Sequence, residues 1–199
     1  LGAQVLGLEN LIVVQGDPFT QQDLPLVKAV DDYRPTELIS AITQMNQGMD
    51  FRAVKLPAPT DLCVGATVDL GRGIQNEARL VHHKIESGAQ FLITQPIFDP
   101  KEAHQFLESY AEDTNNQLSV PMFLGLQLLE PDGVIFASVP RSVKEALNAG
   151  RNGIEIALEL YSMFQAAGLH NIYLVPPIRR GGTRNYAAAQ EFLARVKRI

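Results

Sequence analysis

The chain has 199 residues, 46% of them hydrophobic and 20% charged, which is enough apolar content to bury a sizeable core and too much for a disordered segment. Its formal net charge of −5 offers nothing to a phosphate polymer or an anionic lipid surface, so neither nucleic acid nor membrane is an expected partner. No apolar run approaches the ~18 residues of a membrane span, no basic-then-apolar leader is present, and the single Cys63 excludes an internal disulfide, which makes the cytoplasm the default location.

In chain order, the opening run Leu1-Gly2-Ala3-Gln4-Val5-Leu6 reads as the middle of a helix, as if the chain's beginning lay upstream. Short apolar runs at 11–14, 62–66, 91–94, 121–126 and 172–175 then read as strands, with a weaker sixth at 134–137. Between them, the spacing predicts helices from Thr36 to Gln47, from Gln75 to Ser87 with Gly88 closing it, and from Pro100 to Ala111 with Asp99 as N-cap. A short helix at 143–149, a longer one from Asn152 to Ala167 closed by Gly168, and a last one from Tyr186 to Val196 complete the series. The two basic runs, Ile178-Arg179-Arg180 and Arg195-Val196-Lys197-Arg198, are short, and a solvated helix end accounts for the second.

Strands alternating with helices predict an α/β fold with a parallel sheet. A TIM (β/α)8 barrel needs about 250 residues, so the expected reading is a single barrel domain over 1–199 whose first strands lie upstream of Leu1. A doubly wound open sheet competes with it. Either architecture puts the site beyond the carboxyl ends of the strands. The residues there are Gln15-Gly16-Asp17-Pro18, Thr67-Val68-Asp69, Gln95-Pro96, Gln127, and Pro176-Pro177-Ile178-Arg179.

Asp17 could meet a heterocycle or merely cap a turn, and Gln95, donor and acceptor together, could read a ring edge or simply be a satisfied strand-end amide. Lys84 could reach a cofactor phosphate or be a solvated helical lysine. His82 and His83 are adjacent and point about 100° apart on a helix, so no metal site is expected. The chain has no dinucleotide fingerprint, P-loop, H-E-x-x-H or nucleophile elbow, and Asp69-Leu70-Gly71-Arg72-Gly73 reads as a loop.

Two segments carry more as a set. Glu9-Asn10-Leu11-Ile12-Val13-Val14-Gln15-Gly16-Asp17-Pro18 resembles the strand that delivers an aspartate to the flavin in the methylenetetrahydrofolate reductase family. Lys84-Ile85-Glu86-Ser87-Gly88-Ala89-Gln90-Phe91-Leu92-Ile93-Thr94-Gln95-Pro96-Ile97-Phe98-Asp99 is similar to that family's K-x-x-x-G-A-x-x-x-I-T-Q-x-x-F-D. The resemblance implies a TIM barrel that uses FAD, reduced by NADH or NADPH, to convert 5,10-methylenetetrahydrofolate to 5-methyltetrahydrofolate.

On that resemblance Asp17 is the catalytic residue and touches both flavin and folate. Gln15, Gly16, Thr67, Glu77, His83 and Lys84 hold the cofactor, and Gln95, Gln127 and Arg179 hold the substrate. Asp17 and Gln95 are expected to converge from neighbouring strands on one ring system. The family commonly has arginine where Gln15 stands and Tyr-Pro-Glu-x-His where Thr67 to Gly71 stand, and its general acid falls upstream of Leu1. Those departures keep two alternatives open: a methyltransferase domain that handles methyl-folate without flavin, and a non-catalytic folate-binding barrel subunit. Self-association, or fusion to another one-carbon domain, fits any of the three.

Overall fold

A computed structural model of the chain describes residues 1–30 and 32–197; Arg198 of the basic tail lies outside them. Five strands, β1 (Asn10–Val13), β2 (Cys63–Val68), β3 (Phe91–Pro96), β4 (Met122–Gln127) and β5 (Ile172–Val175), form one parallel sheet. Their order across the sheet is their order along the chain. A doubly wound sheet reverses direction at its middle, and this one does not. From β2 onward each strand also starts further along its predecessor, Phe91 opposite Gly65, Met122 opposite Leu92 and Ile172 opposite Leu124. That cumulative stagger is consistent with the shear of a partial TIM-like barrel. Among the described residues β1 and β5 each pair on one side only.

Right-handed crossovers in sequential order put every helix on the same face of the sheet. Accordingly α2 (Pro35–Asn46) packs on α3 (Ile74–Glu86) and α3 on α4 (Pro100–Thr114); later, α6 (Gly153–Ala166) packs on α7 (Tyr186–Val196). The strand residues alternate to match. Val64, Ala66, Val68, Leu92, Leu124 and Leu126 are buried, and with Ala78 and Val81 of α3 and Ala103 and Phe106 of α4 they form the core. The intervening Cys63, Thr67, Phe91, Ile93 and Phe123 are only half-buried, as expected of the side facing the interior of an arc. There Phe91 lies against Gly65 and meets Phe123 edge-on at 6.3 Å between ring centroids.

Local chemistry sets the helix ends. The Asp99 carboxylate accepts from Lys101 N at 2.9 Å, Asn152 caps α6 through Ile154 N at 2.8 Å, and the backbone N of Arg34 donates to Glu37 in the first turn of α2 at 2.7 Å. Gly88, at φ +113°, closes α3 as its spacing predicts. Two expectations need correction. The opening helix is a single turn, α1 (Gly2–Val5). The proposed sixth strand at 134–137 does not form, because Val134 makes one antiparallel bridge to Ile178 and the rest runs as a loop into α5 (Arg141–Asn148). No helix among the described residues is long and apolar enough to cross a membrane.

Candidate functional site

The site begins with an irregularity in β3. Ile93 pairs with Phe123 but Pro96 pairs with Gly125, so β3 carries one residue more than β4 across that interval. Pro96 has no N–H to give to a ladder, and proline within a sheet is confined to edges and bulges. The bonds the bulge displaces are replaced by side chains. The Thr94 hydroxyl accepts from Gly125 N at 3.0 Å, and the Tyr173 hydroxyl crosses from β5 to donate to Thr94 O at 2.6 Å. Gly125 is required for that crossing, since a Cβ there would stand 2.9 Å from Tyr173 Oη and 3.0 Å from the Pro96 backbone. Burial pushes the Tyr173 phenol pKa up, which keeps it a donor. The bulge leaves Gln95 exposed at the strand end between buried Thr94 and buried Pro96.

Beyond Gln95 lies a cleft of about 630 Å³, a size suited to a small organic ligand. Pro96 and Ile97 line it from β3, the turn Leu70–Arg72 with Asp69 from the end of β2, and Glu102 from the first turn of α4. The remaining wall is the loop after β4, with Ile135, Phe136 and Ser138. Gln127 holds that wall. Its Nε2 donates to Val134 O at 2.7 Å and its Oε1 accepts from Phe136 N at 3.3 Å, so a fully buried amide is used at both ends inside the chain. Gln127 thus shapes the cleft without lining it.

The opposite wall is anchored by a buried ion pair. Lys84 and Glu77, 5% and 3% exposed, meet at 3.2 Å on the side of α3 that faces β2. Lys84 Nζ also donates to Thr67 O at 2.6 Å, and Glu77 Oε1 accepts from Asp69 N at 3.2 Å. These bonds fasten the end of β2 and the turn after it to α3. Asp69 in turn accepts from Gly71 N at 3.1 Å and pairs with Arg72 at 3.2 Å.

The other residues singled out from the sequence fall elsewhere. Gln15, Gly16 and Asp17 are exposed in the segment after β1 and do not line the cleft. Asp17 and Gln95 share the carboxyl end of the sheet, but β2 lies between their strands, which corrects the expectation that these are neighbours. His83 is exposed and pairs with Glu86 at 3.3 Å. Arg179 pairs with Glu130 at 3.1 Å, with Asn185 donating to the same carboxylate at 2.6 Å, which ties the turn after β5 to the end of β4. Hydrogen bonds from Arg179 and Asn185 hold the Glu130 pKa below the ordinary carboxylate value. Of the expected set, only Gln95 reaches the cleft. Asp69, one of the strand-end residues but outside that set, reaches it too, whereas Arg72, Phe136 and Glu102 reach it from turns that periodicity does not reveal.

The family model described as methylenetetrahydrofolate reductase matches residues 2–172. No curated protein matches the chain. Among solved structures, an uncharacterized protein from Clostridium thermocellum, described as binding two copies of 5-methyl-5,6,7,8-tetrahydrofolic acid, aligns with a TM-score of 0.52 and 20% identity. The alignment covers 69% of this chain and 54% of that one, so the chain spans about half the length of this neighbour, whose likeness is one of fold. With the family model covering most of its length, over a parallel sheet whose strands follow chain order, the chain belongs to the methylenetetrahydrofolate reductase family.

Proposed function

We propose that the chain binds a reduced folate in the cleft beyond β3, with the heterocycle over Pro96 and Ile97 and its polar edge against Gln95. The observation that carries this reading is the bulge, which offers an uncommitted amide at the mouth of a part-apolar cleft whose other walls are already fixed by internal hydrogen bonds. Family membership supports it, as does the ligand named for the clostridial neighbour. The chemistry the family supports is reduction of 5,10-methylenetetrahydrofolate to 5-methyltetrahydrofolate, with FAD supplying the hydride it takes from NADH or NADPH. Asp17, Gln15, Gly16, Thr67 and His83 form the proposed flavin side, and Asp17, Gln95 and Arg179 the folate side with Gln127 behind them, while Glu77 and Lys84 stay paired in the seam beneath.

One observation favours the second reading, a folate-binding domain that works without flavin. Lys84 spends its ammonium on Thr67 O and Glu77 inside the helix–strand seam, and a cofactor phosphate would have to draw it out of that pair. The present arrangement does not fit a flavin phosphate, so no step is derived through the cofactor. A visible spectrum of the purified chain decides between the two. A yellow protein that bleaches with NADH or NADPH and recovers with methylenetetrahydrofolate supports the reductase. A colourless protein that binds 5-methyltetrahydrofolate in a calorimeter, about tenfold more weakly after Gln95→Ala, supports the flavin-free reading. Binding of neither ligand ends both.

A further inference from the structure

Tyr173 is half-buried on β5, a strand that sends no side chain into the cleft. It pairs with Gly125 of β4 and so shares the interior face of the sheet with Phe91 and Phe123, which fill space there without a hydroxyl. The Tyr173 hydroxyl reaches past β4 to β3, donating to Thr94 O at 2.6 Å across the space that Gly125 leaves by lacking a Cβ. No other side chain among the described residues donates to that oxygen. Thr94 O belongs to the same rigid peptide plane as the backbone N of Gln95, so a bond to it fixes the plane from which Gln95 departs. The bulge has meanwhile taken Gly125 N to the Thr94 hydroxyl at 3.0 Å.

We propose that Tyr173 is a positioning residue for ligand binding: without touching the ligand, it holds the Thr94–Gln95 peptide plane and with it the direction in which the Gln95 amide meets the heterocycle. This rests on the reading that a reduced folate meets Gln95, and it adds β5 to the strands that determine affinity. A ring that only filled the interior would need neither a hydroxyl aimed at a backbone oxygen two strands away nor a glycine on the strand between. Without the hydroxyl, Thr94 O loses a donor inside the sheet, and the N–H of Gly125 on the facing strand is the one it can recover by letting the bulge slip. That slip re-aims Gln95.

The test is a double-mutant cycle on the full chain, with 5-methyltetrahydrofolate titrated calorimetrically into the wild type, Tyr173→Phe, Gln95→Ala and the double variant. Tyr173→Phe keeps the ring and removes one hydroxyl, and its urea midpoint shows whether the variant is folded. It should bind about threefold to tenfold more weakly than the wild type, as for loss of one hydrogen bond. In the Gln95→Ala background the same substitution should change affinity by less than about twofold, because the side chain it aims is gone. Should Tyr173→Phe not fold, Gly125→Ala, whose methyl group crowds the Tyr173 hydroxyl from β4, is read in the same two backgrounds with the same expectation. If the wild type binds the folate and Tyr173→Phe matches it, the positioning role is overturned and the folate reading stands. A loss of the same size with and without Gln95 overturns it as well, since the tyrosine would then serve the fold or the ligand directly. If the wild type does not bind the folate, both readings fall together.

Discussion

From β2 through β4 the chain buries nearly every helix-facing side chain, whereas between Leu1 and Val30 only Val13 is buried. Both regions end strands at the same edge of the sheet, so both can present polar groups to one ligand. They differ in what fixes those groups. Gln95 is aimed by a bulge that Thr94 of its own strand, Gly125 of β4 and Tyr173 of β5 hold in place. After β1 the side-chain hydrogen bonds are local, the Asp23 carboxylate accepting from the backbone and hydroxyl of Thr20 and nothing across the sheet. A preorganised contact therefore belongs to β3 and its neighbours, and groups such as Asp17 are ones a ligand would have to order at some cost in affinity.

The largest contrast is expected between two lysines. Lys84→Met leaves Glu77 buried without its partner and should destabilise the chain by about 3–5 kcal/mol in urea denaturation, while Glu77→Gln combined with Lys84→Met recovers most of that loss. Lys28→Met, at an exposed position in the first region, should stay within about 0.5 kcal/mol. Equal effects at the two sites would abolish the distinction between the regions.

Two glycines sharpen the same contrast at a smaller scale. Gly125→Ala drives a methyl group into Tyr173 Oη and the Pro96 backbone, for an expected cost of about 1–3 kcal/mol. Pro96 follows Gln95, so folate affinity should fall in the same variant. A Cβ at Gly16 meets nothing within 4 Å, and its φ lies outside the left-handed range, so Gly16→Ala should be neutral or stabilise by up to about 1 kcal/mol. Urea midpoints and a folate titration of both variants read the difference.

The five strands and the longer helices were legible because their periodicity reports burial directly, and the α4 cap was legible in Asp99-Pro100. The 134–137 run misled because an apolar stretch covering a cleft has the composition of a strand; its backbone bonds go to Gln127 and Ile178 instead of a ladder. Gln95 was legible from its position before Pro96 and from its motif. Glu102 was not, since nothing in Pro100-Lys101-Glu102-Ala103 separates a carboxylate facing a cleft from one in the first turn of any helix. Lys84, one helical lysine among several, owes its burial to the face of α3 that the end of β2 covers, a tertiary fact that no local pattern encodes.

The smallest effect is expected at Glu102. The Glu102 pKa is raised in the folded chain, so the folded state holds this proton more tightly than the unfolded state. Stability is therefore lost as pH rises from the unfolded value through the folded one. Glu102→Gln removes that loss and should stabilise the chain at neutral pH by less than about 1 kcal/mol once solvent screening of this partly exposed group is allowed for. The gain should vanish below the unfolded glutamate pKa. Asp17→Asn, at an exposed position, should shift the urea midpoint by less than can be measured. A loss of stability in Glu102→Gln at neutral pH would instead mean that Glu102 serves the fold.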